Sequence, residues 1–67
     1  MLLEVRKMTC NHCVRVVTAA VHGVDPSASV DVDLGRGTVR IESHATEAEA
    51  AAAAIREEGY EVRVLEP

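Results

Sequence analysis

The chain has 67 residues, seven Lys or Arg against eleven Asp or Glu for a net charge of −4, 48% apolar residues, two cysteines and a single aromatic, Tyr60. Such a length allows one domain, residues 1–67, burying only about 60% of its unfolded surface and leaving little for a deep substrate pocket. The apolar content excludes a disordered segment, and the acidic balance with almost no aromatic rings argues against a nucleic-acid partner.

Along the chain, Leu3-Glu4-Val5-Arg6 alternates apolar and charged residues and predicts a first strand with Leu3 and Val5 inward. A polar loop, Lys7 to His12, leads to a helix expected from Cys13, with Val14, Val17 and Val21 as its apolar stripe and Gly23 and Pro26 as its stop. Alternation returns from Ala28 to Leu34 and again from Thr38 to Glu42, around a short turn at Gly35-Arg36-Gly37, which predicts a hairpin. Thr46 and Glu49 have the spacing of a capping box ahead of an alanine-rich helix. Ala48, Ala51, Ala52 and Ile55 are its apolar face, and Gly59 closes it. Tyr60 to Leu65 reads as a last strand with Val62 and Val64 on one face. The carboxylates are expected mostly on solvated faces.

The order β-α-β-β-α-β, with right-handed crossovers, predicts an α+β sandwich: one four-stranded antiparallel sheet in the order 4-1-3-2 with both helices on one face. In that topology the start of the last strand and the Gly35–Gly37 turn lie beside the Cys10–Cys13 loop. His22 and His44 fall at the opposite end, about 20 Å away along a six-residue strand.

Glu4 interrupts what would be the apolar region of a signal peptide, and no run approaches the ~20 apolar residues of a membrane span. With Met1 as the native start, a cytosolic protein without membrane association is expected. Cysteines stay reduced there, which favours metal binding or catalysis over a structural disulfide.

Cys10-x-x-Cys13 is the one chemical motif. A cysteine in the first helical turn and another just before it bring two sulfurs to one point, where the helix dipole favours thiolates. Two thiolates form a soft, anionic site suited to Cu(I), or to Zn(II) if more ligands are found. Hg(II) would take the same pair. Met8 is expected to pack under the loop, with thioether ligation as the alternative. His12 is expected in solvent, with a transient or dimer-bridging place on the metal as its alternative. Tyr60 is either a packed loop residue or a neighbour of the sulfurs. A thioredoxin-like redox protein would also carry the motif, but in a longer chain with a proline facing the sulfurs, and Pro26 and Pro67 are far from it.

Met8-Thr9-Cys10-Asn11-His12-Cys13 after a short strand resembles the MxCxxC loop of heavy-metal-associated domains, which have the ferredoxin-like fold. Gly23-Val24, Val30-x-Val32-x-Leu34, Gly37-x-Val39 and Glu58-Gly59-Tyr60 extend the resemblance over the whole chain. The resemblance, closest to free bacterial copper chaperones, implies Cys10 and Cys13 as Cu(I) ligands, Met8 as a buried anchor and Tyr60 near the metal. It also implies delivery to the metal-binding domain of a copper-transporting P-type ATPase and, through His12, a copper-bridged homodimer. Mercury-binding members are the alternative. Thr9 replaces the Asp of zinc-selective relatives, favouring copper. Lys7 replaces the usual glycine, which implies a changed loop flexibility and a positive charge available to an anionic metal complex.

Overall fold

In a computed structural model describing Met1–Pro67, the alternating and helical periodicities become six elements. These are β1 (Leu2–Arg6), α1 (Asn11–Val24), β2 (Ser29–Asp33), β3 (Thr38–Glu42), α2 (Ala48–Glu57) and β4 (Glu61–Glu66). The strands form one sheet in the order β2-β3-β1-β4, antiparallel throughout. That is the expected 4-1-3-2 order read from the other edge.

One core holds the fold together. Leu3 and Val5 of β1 and Val39 and Ile41 of β3 are buried with Val17 and Val21 of α1 and Ala51, Ala52 and Ile55 of α2. The two-residue period of the strands and the three- and four-residue spacing of the helices point these side chains to one layer. Alanine at three buried positions of α2, Ala48, Ala51 and Ala52, lets its backbone approach the sheet, so a larger residue there would overpack the layer.

Several element bounds differ from the local expectations: the last strand is Glu61–Glu66 and leaves Tyr60 in the loop before it, and the second is Ser29–Asp33, shorter at both ends. The first helix starts at Asn11, not Cys13, and passes through Gly23 to Val24. Its stop comes from Pro26, which disfavours helical geometry in the residue before it; Asp25 is extended, with φ −144° and ψ 99°. The capping box does not form. Glu47 is the N-cap of α2 without a side-chain bond, and the Thr46 hydroxyl donates to the Asp25 carboxylate at 3.4 Å instead. The hairpin turn has four residues, Leu34 to Gly37, because Asp33 pairs with Thr38. Gly37 has φ +66°, and a Cβ there would meet the Val5 carbonyl at 3.3 Å.

Asp25 is the exception among the mostly solvated carboxylates, only 7% exposed. Ser27 donates to it through its backbone N–H (3.0 Å) and its hydroxyl (2.8 Å), and the Ser43 hydroxyl donates as well. Ser43 Oγ in turn accepts from the Ala45 and Thr46 backbone N–H groups. One carboxylate therefore ties the end of α1 to the β3–α2 connection. The hydroxyl donors hold its pKa below the usual 3.8, the direction expected when hydrogen bonds favour the charged form.

Candidate functional site

The loop after β1 begins with Lys7, the one non-glycine residue with positive φ, at 74°. This left-handed step sends Met8 into the core, 7% exposed, and leaves Thr9 and Cys10 on the surface. Met8 thus packs as an apolar anchor under the loop, as expected. Cys10 is the N-cap of α1 in an extended conformation, and its side chain makes no capping bond. Its carbonyl accepts from the N–H of Cys13 at 3.0 Å and of Val14 at 3.3 Å. The backbone thus closes the first turn by itself, and the Cys10 sulfur is not taken up by a cap.

Both cysteines are unpaired, Cys10 exposed and Cys13 half-buried, with their sulfurs 3.9 Å apart. Thiolate–metal bonds are about 2.3 Å, so one ion can touch both sulfurs with little movement. The pKa of Cys13 is lowered from 9.0 to about 7, chiefly by the Tyr60 hydroxyl and then by the Thr9 backbone. In return, Tyr60 is pushed up to about 12 by its hydrogen bond to Cys13 and by burial. Tyr60 also packs its ring against the core and meets the cysteine end of the sheet.

The register explains that meeting. Arg6 at the end of β1 lies opposite Glu61 at the start of β4, which brings the preceding Tyr60 to the cysteine end. Lys7 Nζ ion-pairs with Glu61 Oε2 at 3.6 Å. Val5 donates to the Gly37 carbonyl at 2.8 Å, so the hairpin turn lies at the same end. His12 is exposed in the first turn of α1. His22 lies in the last turn of α1, its Nε2 3.0 Å from the Ala28 carbonyl, and His44 follows Ser43 at the Asp25 cluster. The structure brings neither of these two to the cysteines. Nowhere does the chain gather three or more His, Cys, Asp or Glu side chains suited to a metal ion. A closed four-ligand zinc site would therefore need ligands from outside this chain.

Two residues near these features escaped the sequence reading. Glu61 gave no signal, because its role depends on which strand end faces Lys7. Asp25 had one: Asp-Pro-Ser after a helix is a pattern in which the Asp side chain accepts from the backbone two residues on.

No helix is long and apolar enough to cross a membrane. A family model, heavy-metal-associated domain, matches residues 2–61. No curated protein matches. Among solved structures, the copper chaperone Atx1 from Synechocystis (Cu2 form) is 38% identical, with a TM-score of 0.85 over 94% of this chain and 98% of that one. A gold binding protein is 30% identical, with a TM-score of 0.87 over 94% of this chain and 95% of that one. The yeast copper transporter domain Ccc2a shares the fold, with a TM-score of 0.87 at 18% identity over 97% of this chain and 92% of that one.

Proposed function

Because the chain belongs to the heavy-metal-associated domain family, we propose that it carries Cu(I) on the thiolates of Cys10 and Cys13. The observation that carries this reading is a pair of accessible sulfurs 3.9 Å apart with no third ligand gathered beside them. Two soft thiolates satisfy Cu(I) at low coordination number and leave it open on the solvent side. The likeness to the copper chaperone Atx1 supports copper over other soft ions. The likeness to a gold binding protein supports a soft-metal site more generally, with Hg(II) as the competing ion.

The recipient is the metal-binding domain of a copper-transporting P-type ATPase. An incoming thiolate from that domain binds the Cu(I) ion to give a three-coordinate intermediate. Cys10 or Cys13 then leaves, and a second exchange completes the transfer. Cu(I) keeps its oxidation state and no substrate is turned over, so the protein is a carrier and not an enzyme. The lowered Cys13 pKa supports a thiolate at neutral pH, ready to bind. The cytosol suits this chemistry, since free thiols persist there. Exposed His12 beside the open face suits a second, transient contact within a copper-bridged homodimer.

Anaerobic titration with Cu(I) against a chelator tests the reading. One equivalent is expected to bind tightly, Cys10→Ala and Cys13→Ala abolish tight binding, and His44→Ala leaves it unchanged. Unaltered affinity in Cys13→Ala would refute the site. Sedimentation at zero, half and one equivalent reports the dimer, and insulin reduction at catalytic protein concentration would instead favour a redox enzyme.

A further inference from the structure

Lys7 holds a backbone conformation that glycine adopts freely and that a lysine adopts only at a steric cost. Its φ is 74°, immediately before the buried Met8. Strain of this kind persists where the surroundings impose it and clusters at ligand clamps, which directs attention to the side chain. The ammonium is on the cysteine loop, three residues before Cys10, and pairs with Glu61 Oε2 at 3.6 Å, both side chains being about two-thirds exposed, at 66% and 64%. Glu61 directly follows Tyr60 in the chain.

The other cations near this end are placed differently. Arg36 pairs with Asp33 at 3.9 Å. Arg15 is two residues after Cys13 on α1, a spacing that turns side chains to different faces. Arg6 sits within the β1–β4 ladder opposite Glu61. Lys7 alone combines a place on the loop with a long, flexible stem.

A Cu(I) ion held by two thiolates carries a net charge of −1. We propose that Lys7 supplies the counter-charge of the loaded site and that Glu61 holds it when the site is empty, so that metal uptake opens the Lys7–Glu61 ion pair. This rests on the Cu(I) reading above. An exposed ion pair contributes little to stability, so the ammonium can leave Glu61 as negative charge gathers on the sulfurs. Loading thereby frees the Glu61 side chain, beside Tyr60, while its backbone stays in the β1–β4 ladder.

The test is a chelator competition at low ionic strength on three variants. Lys7→Asn removes the charge with a residue that tolerates left-handed geometry, and is expected to weaken Cu(I) binding about threefold to tenfold. Glu61→Gln frees the ammonium and is expected to tighten binding by a similar factor. The double variant should match Lys7→Asn alone, since Glu61 acts only through Lys7. Both effects should shrink as salt is raised. Metal-free Lys7→Asn should melt no lower than the wild type, which separates lost charge from lost fold. Unchanged affinities in both single variants, or weaker binding in Glu61→Gln, overturn the proposal while leaving the Cu(I) reading intact. A wild type that binds no Cu(I) overturns both.

Discussion

Replacing Tyr60 with Phe deletes one hydroxyl and keeps the ring that packs against the core. That hydroxyl is the largest of four causes lowering the Cys13 pKa from 9.0 to about 7. With the full shift, about half of the Cys13 sulfur is thiolate at pH 7; with none, about 1% is. Complete return would thus lower the thiolate fraction about fiftyfold, and loss of the largest contribution is expected to lower it several-fold. A thiolate of higher pKa is intrinsically more nucleophilic, so the midpoint of a pH profile is a cleaner readout than one rate. The assay is iodoacetamide alkylation of the metal-free protein between pH 5 and 10, with Cys10 and Cys13 resolved by peptide mass spectrometry. The Cys13 midpoint should rise in Tyr60→Phe. Linkage gives a second readout with a fixed sign. A thiol whose folded pKa is depressed adds stability that grows from about pH 7, is complete above 9.0 and is lost as pH falls through about 7. The Tyr60→Phe protein should show a smaller rise in Tm across that window. Identical alkylation midpoints in the two proteins would refute the hydroxyl's role.

Asp25 has a folded pKa below 3.8, so its contribution is present above that value and lost as pH falls below it. Asp25→Asn should melt lower than the wild type at pH 7 and show a weaker acid dependence below pH 4, measured by thermal scans. Ile55 is fully buried between α2 and the sheet, and Ile55→Ala should cost about 2–5 kcal/mol in urea unfolding, with little change in Cu(I) affinity because the cysteine loop is intact.

The fold is legible in the chain where the signal repeats. Leu3 and Val5, Val39 and Ile41, and the Ala48-Ala51-Ala52-Ile55 face lie inward as their periods require, and the right-handed crossover rule then leaves one sheet order. It is not legible where two local signals compete. Gly23 and Pro26 both offered to end α1, and the proline prevailed because it constrains the residue before it. Thr46 and Glu49 have the capping spacing, but α2 starts one residue later with Glu47 as its N-cap, and the Thr46 hydroxyl lies 3.4 Å from the buried Asp25 carboxylate.

The candidate site divides in the same way. That two thiols three residues apart would converge at a helix start follows from helix geometry, and the amino-acid sequence determined it alone. Tyr60 could be placed at that end through topology. Its effect on the Cys13 pKa, the ion pair of Lys7 with Glu61 and the burial of Asp25 were decided only by the tertiary structure. Each depends on side chains brought together from distant parts of the chain, by the β1–β4 register or by the packing of α1 against the β3–α2 connection. Periodicity reports which face a residue takes on its own element, and it carries no information about which side chain will meet it from another.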